Sequence, residues 1–223
     1  MSSFAFSFLN LDILKTVYPY ILDGLWRTLL LAAAIVPASL LVGLLVACAG
    51  SFRHRALDIP LVIYVDFFRA FPPLVLLVFV YYALPYLGIE LDTFGAVVLA
   101  LTLTCSAYFG EVFRAGIESI PEGQIEASRA TGLGRTQTLL HIVLPQAVRN
   151  MLPDLLSNVL ETVKLTSLAS VVTFPELLRM ARMAQGNTLN ATPLLAAALI
   201  YLVLLWPLVR LVSRQEQKAL RRR

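Results

Sequence analysis

Long apolar stretches alternate with short polar ones along most of this chain. A membrane-spanning helix needs about 20 mostly apolar residues, and several stretches approach that length between charged or turn-forming residues. The pattern therefore predicts five transmembrane helices, over about 21–50, 57–87, 93–114, 151–172 and 193–212.

The second of these stretches is interrupted near its middle. Arg69 lies within it, and Pro72 and Pro73 follow. Proline lacks a backbone donor and disfavours helix in the residue before it. We therefore expect a short lead-in segment at the membrane interface, followed by a span from about 72 to 87.

Composition agrees with a membrane protein. Of the 223 residues, 58% are apolar and only 14% are charged, and the mean hydropathy is +0.77. The first twenty residues lack the basic start and small-residue cleavage site of a signal peptide, so no cleavage is expected. The fold class is an all-α, multi-pass membrane protein, with 1–223 as a single transmembrane domain.

Basic residues set the expected orientation, because Lys and Arg favour cytoplasmic loops. The loop GIELDT between the second and third spans carries acids and no bases, whereas Arg179 and Arg182 in the 173–192 segment run against the trend. The N-terminus is thus expected outside and the C-terminus in the cytoplasm. The supporting bases are Arg53 and Arg55, then Arg129, Arg135 and Arg149, and the terminal Arg210, Arg214, Lys218, Arg221, Arg222 and Arg223.

A polar, basic insert over about 119–145 separates the third and fourth spans. Its pattern predicts a short helix, a turn at Gly132 and Gly134, and a second helix from about Arg135. Pro145 is expected to bend the chain before it re-enters the bilayer. From the residues alone, this insert either docks to a cytoplasmic partner or lies on the lipid headgroups.

The order of residues in the insert resembles a known motif. Glu126-Ala127-Ser128, then Gly132, then Ile142 with Leu144-Pro145, resembles the EAA motif of permease subunits of bacterial ABC importers, with Ser128 in place of the second alanine. In that family the loop is a coupling helix seated on the ATPase subunit, and the fold is that of a type I importer permease. The resemblance implies ATPase coupling through Gly123, Gln124, Glu126, Ala127, Ser128, Ala130, Gly132 and Leu133.

Further stretches resemble one branch of the family, the polar amino acid permeases. These stretches are YVDFFRAFPPLVLLVFVYYALP, AYFGEVFRAGIESIPEGQIEA, LPQAVRNMLP and KLTSLASVV. Phe71 departs from the usual threonine. Leu165 stands where the family usually has an aspartate, which puts an ion pair of Lys164 in doubt.

Two polar groups within the spans are candidate sites, since ionisable side chains at membrane depth normally face a bundle interior or a wet cavity. The first group serves as a gate or as structural anchoring, and its Glu111 and Arg114 are spaced to pair. The second group forms a stripe along span four, which either contacts substrate or forms a polar seam between subunits. The first comprises Arg69, Pro72, Tyr108, Glu111 and Arg114, and the second Asn158, Glu161, Lys164, Thr166 and Ser167.

The resemblance also implies a cargo and partners. Relatives that carry cationic amino acids commonly have an acid at the position of Asn158, so a neutral or zwitterionic cargo is favoured here, unless Glu161, one turn along, restores the negative charge. The family implies a polar amino acid or a related small zwitterionic solute. No G-x-x-x-x-G-K-[ST] loop occurs, so the chain is not expected to bind nucleotide in that way or to be an enzyme. Its two cysteines and two histidines show no ligand spacing, so no metal is expected. ATP and Mg are expected on a separate ATPase dimer, with a second permease and an external solute-binding protein as partners in the bacterial inner membrane and no nucleic acid.

The alternative from a different class is a secondary transporter or a small ion channel without an ATPase partner. Either could use five spans with buried charges, but neither would need the insert. Dependence of uptake on an ATPase separates these readings.

Overall fold

The structure is a computed structural model that describes residues 7–50 and 55–220. Every regular element in those ranges is a helix. The predicted basic turn with Arg53 and His54, and the end of the chain at 221–223, lie outside the described residues. The helices are α1 (Leu11–Gly50), α2 (Arg55–Ala70), α3 (Pro73–Ala83, followed by a 3₁₀ turn Leu84–Leu87), α4 (Thr93–Glu118), α5 (Glu122–Ala130), α6 (Arg135–Thr138), a π-helical turn Leu139–Val143, α7 (Leu144–Leu165, followed by a 3₁₀ segment Thr166–Val172), α8 (Leu177–Thr188) and α9 (Thr192–Leu220).

Four described helical stretches are long and apolar enough to cross a membrane. The broken pair Leu57–Ala70 and Pro73–Leu87 would make a fifth span if the two helices cross together. The break lies where the sequence predicts it, because Pro72 is extended, with φ of −61° and ψ of 127°, and Pro73 begins α3. The four continuous stretches are Leu11–Gly50, Thr93–Glu118, Arg135–Val172 and Thr192–Gln217.

Helix α1 begins about ten residues before the first predicted span. Asn10 explains the early start, since its side-chain oxygen accepts hydrogen bonds from the N–H groups of Asp12 (3.1 Å) and Ile13 (3.3 Å). Such a cap satisfies donors that the first turn leaves without helical partners.

The described helices form two compact units, and each unit is made of three separate stretches of the chain. The first unit comprises Met1–Pro37, Phe71–Thr102 and Leu160–Val209. Its core joins α1, α8 and α9 through the buried side chains of Val17, Ile21, Leu177, Ala181, Ala184 and Ala197.

The second unit comprises Ala38–Ala70, Leu103–Val159 and Arg210–Arg223, and it contains the insert. Within it, α1 and α4 approach closely at Gly43. A Cβ atom on Gly43 would lie 2.8 Å from the backbone nitrogen of Gly110 and 2.9 Å from the carbonyl oxygen of Ser106. Backbone atoms cannot move aside as a side chain can, so this contact requires glycine.

We expect Gly43→Ala to lower the free energy of unfolding by about 1–3 kcal/mol, the typical cost of overpacking. The measurement is the thermal unfolding midpoint of the purified protein in detergent. Gly186→Ala is the matched control, because no atom lies within 4 Å of the added Cβ there and alanine favours helix. Equal midpoints for the two variants would contradict the close approach at Gly43.

Candidate functional site

The first helix of the insert, α5, ends in a glycine turn. Gly132 has a φ of +90°, its N–H donates to the Arg129 carbonyl (2.9 Å), and the Leu133 N–H donates to the Ser128 carbonyl (3.2 Å). These two bonds define a Schellman motif, which satisfies the last carbonyls of a helix. The turn predicted at Gly132 is therefore present, and it uses a backbone conformation that favours glycine.

A buried polar contact holds the two arms of the insert together. The hydroxyls of Ser128 and Thr138 share a hydrogen bond of 2.9 Å, and both residues are buried. Gly134 precedes the second arm, and its N–H donates to the Gln137 side-chain oxygen (3.0 Å). The insert is thus a folded helix–turn–helix, which we call the coupling insert (residues 119–145).

The coupling insert also packs on the start of α7. Ile120, Val143 and Ala147 form a buried apolar cluster. Beside it, the Gln146 side-chain amide donates to that of Gln124 (2.7 Å). The insert and the start of α7 are therefore packed against each other.

Most of the predicted coupling residues are accessible, but one faces inward. Ser128 is only 6% exposed because its side chain meets Thr138, so it holds the insert together and presents no docking surface. Leu133 is half-buried. The exposed residues are Gly123, Gln124, Glu126, Ala127, Ala130 and Gly132.

The bend expected at Pro145 stays a prediction, and the helix continues through this residue. A single helical stretch runs from Arg135 to Val172, and the irregularity lies just before the proline, in the π-helical turn Leu139–Val143. Proline removes a backbone donor and crowds the preceding turn, and a π-turn is one way to accommodate a local break in the hydrogen-bond ladder.

Near the end of α4, charged side chains form a compact group. Arg114 pairs with Glu111, with a bond from its Nε to Oε2 of 3.0 Å, and also with Glu118 at 2.5 Å. The Arg69 guanidinium lies 5.7 Å from the centroid of the Tyr108 ring, and the Tyr108 hydroxyl donates to the Arg69 carbonyl (3.3 Å). Of the predicted group, the second unit contains Arg69, Tyr108, Glu111 and Arg114, whereas Pro72 lies in the first unit.

The predicted span-four stripe also divides between the units. Asn158 is half-buried in the second unit, and the rest lies in the first. There Lys164 pairs with Glu161 at 2.6 Å, so Leu165 does not deprive Lys164 of an ion pair. The hydroxyls of Thr166 and Ser167 donate to carbonyls one turn back in the same helix, at 2.7 and 2.8 Å.

Sequence reasoning missed a buried carboxyl group in the first unit. Glu176 has no exposed surface and caps α8, accepting hydrogen bonds from the N–H groups of Leu178 (2.8 Å) and Arg179 (2.7 Å). The Tyr201 hydroxyl donates to the same carboxyl group (2.9 Å). Burial raises the pKa of Glu176 above its ordinary value, against the opposing effect of these hydrogen bonds. The sequence offered only a weak signal, an acid in the 173–192 segment between two predicted spans.

Within the described residues, no group of three or more His, Cys, Asp or Glu side chains is arranged to hold a metal ion. Several described helices are long and apolar enough to cross a membrane, which is typical of a multi-pass membrane protein. The comparisons with known proteins give its family.

Residues 13–221 match the family described as the binding-protein-dependent transport system inner membrane component. The chain belongs to this family, and it is a transmembrane subunit of a binding-protein-dependent importer. The resemblance drawn from the EAA-like motif is thereby confirmed.

Relatives and solved structures agree with this assignment. The probable amino-acid ABC transporter permease protein YckA of Bacillus subtilis is 36% identical over 82% of each chain. The probable glutamine ABC transporter permease protein GlnP of the same organism is 36% identical over 88% of this chain and 92% of its own. The crystal structure of an amino acid ABC transporter with histidines matches with a TM-score of 0.86 and 31% identity, over 93% of this chain and 97% of that chain.

A more distant structure shares the fold alone. An inward-facing form of the MetNI methionine ABC transporter matches with a TM-score of 0.72 at 20% identity, over 92% of this chain and 98% of its own.

Proposed function

We propose that this subunit forms the path for a polar amino acid or a related small zwitterion, driven by a separate ATPase. The main support for coupling to an ATPase is the folded insert. It presents small residues and Glu126 outward and packs on α7 through Ile120, Val143 and Ala147. Ala127 and Ala130 allow another surface to approach closely. A loop that only rested on lipid would need neither the buried hydroxyl pair nor this packing.

The proposed partners follow from the coupling insert and from the family. Two ATPase subunits bind ATP and Mg, and nucleotide binding and hydrolysis move the insert and with it α7. A second permease completes the path, and an external solute-binding protein delivers the solute. The relative named for glutamine transport favours a polar amino acid as cargo.

The exposed Glu161 and Lys164 pair supports a second permease. Their side chains are 61% and 46% exposed on this chain, and a charged pair is costly against lipid. The pair therefore lies against the second permease or the solute path.

The proposed topology places the N-terminus outside and the C-terminus in the cytoplasm of a bacterial inner membrane. Arg129, Arg135 and Arg149 support it, since all three are exposed on or beside the coupling insert. In this topology 1–223 is one transmembrane domain with five spans.

Reversing one charge on the insert tests the partnership. We expect Glu126→Lys to reduce the ATPase recovered with the detergent-purified permease several-fold, because an exposed acid that meets a basic docking surface would become repulsive. The measurement is co-purification followed by mass spectrometry. Glu90→Lys, an exposed acid in the loop after α3, is the control and should retain the ATPase.

A native chain that purifies folded but alone would contradict the proposal and favour the secondary transporter or channel. An ATPase that remains fully bound to the Glu126→Lys variant would show that docking does not use this face of α5.

A further inference from the structure

A short junction connects α4 to the coupling insert. Helix α4 ends at Glu118 and α5 begins at Glu122, so only Ser119, Ile120 and Pro121 lie between them. Pro121 is outside the helical region, with a φ of −57° and a ψ of 134°, so α4 and α5 are not one continuous helix. The angle between them therefore depends on contacts with other parts of the chain.

The start of α7, with the π-helical turn before it, packs on both sides of this junction. Ile120 is buried against Val143 and Ala147, and the partly buried Ile117 of α4 and Ile125 of α5 pack on the same cluster. Apolar packing stabilises this arrangement, but it is non-directional. The cluster alone therefore holds the three helices together without fixing how α5 is rotated.

Helices α4 and α7 also approach each other closely beside the cluster. A Cβ atom on Gly116 would lie 2.9 Å from both the Cβ and the Sδ atoms of Met151, and Met151 is buried. This close contact places the end of α4 directly against α7, so α7 is a support from which the junction can be held.

Two side-chain hydrogen bonds from α7 lie on either side of Pro121. Before it, the Asn150 side-chain amide donates to the Ser119 hydroxyl (2.9 Å). After it, the Gln146 side-chain amide donates to the Gln124 side-chain oxygen (2.7 Å). The two donors are four residues apart and are therefore neighbours on one face of α7. One helix thus holds positions 119 and 124 across the junction.

Both bonds are connected to backbone carbonyl groups. The Ser119 hydroxyl donates to the Gly116 carbonyl (2.7 Å), and the Gln146 side-chain amide also donates to the Ile142 carbonyl in the π-helical turn (2.8 Å). These second bonds restrict the rotamers of Ser119 and Gln146. Because hydrogen bonds are directional, the pair fixes the rotation that apolar packing leaves open.

We propose that Asn150 and Gln146 are positioning residues of the coupling insert, which hold α5 at a fixed angle to α4 and α7. An ATPase that turns α5 then displaces the ends of both membrane helices together. Without the two bonds α5 still docks, but part of its motion is lost as rotation about Pro121. This inference rests on the proposed function, because it names the residues through which a docked ATPase acts on the spans.

A positioning role and a purely structural role predict different results. Ser119, Gln124 and Asn150 are exposed and Gln146 is half-buried, so water replaces the lost partners at little cost in stability. We therefore expect the double variant Asn150→Ala/Gln146→Ala to keep the native thermal unfolding midpoint. Its defect should be in the orientation of α5 and in coupling.

The first measurement is the distance between spin labels on α4 and α5, by electron paramagnetic resonance of the full-length permease in lipid nanodiscs. Ala115→Cys and Arg129→Cys place the labels at exposed positions. Cys48→Ser removes the exposed native thiol, whereas Cys105 is buried. The double variant should give a broader distance distribution than the native side chains do, and each single alanine variant an intermediate one. This measurement needs no ATPase.

The second measurement is the number of solute molecules imported per ATP hydrolysed by the reconstituted assembly. We expect the double variant to lower this ratio at least about threefold, the order expected when residues that touch neither site alter the coupling between them. ATP hydrolysis without solute should be retained, because the outward face of α5 is unchanged.

Two further variants serve as controls. Asn150→Asp keeps an oxygen that accepts a hydrogen bond from the Ser119 hydroxyl, and it should stay closer to the native distance distribution and ratio than Asn150→Ala. Asn187→Ala removes an exposed amide from α8 in the first unit and should match the native protein in both measurements.

An unchanged distance distribution in the double variant would overturn the inference, as would a broadened distribution with an unchanged transport ratio. A lower unfolding midpoint that accounts for the loss of transport would make the two residues structural and would also overturn it. If the assembly shows ATP-driven uptake in any of these cases, the proposed function stands. If no ATPase binds the native permease, the proposed function fails, and the spin-label distances still decide whether Asn150 and Gln146 hold α5.

Discussion

Gly132→Val is expected to reduce solute uptake at least about tenfold in the reconstituted assembly while the membrane helices remain folded. The φ of +90° at Gly132 is an outlier for a β-branched residue, and holding valine there costs about 1–3 kcal/mol of strain. No atom lies within 4 Å of the added Cβ. The effect is therefore on the backbone of the turn and not on packing.

The same substitution two residues later provides the control. Gly134 has a φ of −68° and a ψ of 165°, which valine adopts readily. Gly134→Val should transport solute like the native subunit, and Gly132→Asn should retain much of its activity because asparagine tolerates left-handed backbone. The measurements are ATP-driven uptake and the solute-stimulated rate of ATP hydrolysis. Normal uptake by Gly132→Val would count against a coupling role for the turn.

Glu176→Ala is expected to lower the free energy of unfolding by about 1.5–5 kcal/mol. The variant loses the α8 cap, worth about 0.5–2 kcal/mol, and leaves the Tyr201 hydroxyl without this acceptor, at a cost of about 1–3 kcal/mol. Glu90→Ala, an exposed acid in the same unit, should change stability little. The measurement is the thermal unfolding midpoint in detergent.

Titration of Glu176 makes the free energy of unfolding decrease as the pH rises. Because burial raises its pKa in the folded protein, the folded state binds the proton more tightly than the unfolded state does. The stabilisation is fully present below the ordinary pKa of roughly 4.3 and is lost as the pH rises through the raised value. Glu176→Gln should remove this component, and a native protein whose midpoint does not fall over that interval would contradict it.

The sequence predicted the features that depend on local chemistry. The turn at Gly132 and the break at Pro72 follow from backbone preferences, and the Glu111 and Arg114 pair follows from helical spacing. The family followed from the order of residues in the coupling insert and was confirmed by the match over residues 13–221.

The features that the sequence could not predict depend on distant contacts. Glu176 meets Tyr201, 25 positions away, and its neighbour Leu177 bonds to Thr28, 149 positions away, so no local pattern indicates that this acid is buried. Ser128 follows the exposed Glu126 and Ala127, and only its contact with Thr138 shows that it faces inward.

The helical stripe of span four was predicted as a row of polar residues without its internal pairing. Glu161 and Lys164 pair with each other, while Thr166 and Ser167 bond to their own helix. Spacing places these residues near one another, but the choice of partner depends on rotamers that a sequence does not specify.

The π-helical turn Leu139–Val143 has a consequence for chain length. Its hydrogen bonds close over five residues and not four, so it holds one residue more than an α-helical turn. Deleting one residue there would restore a regular helix and leave the faces of the flanking helices nearly where they were. The same deletion within Leu144–Leu165 would rotate every later side chain by about 100°. Homologous inserts that differ in length by one residue can therefore be aligned, or grafted between transporters, with the gap placed at this turn.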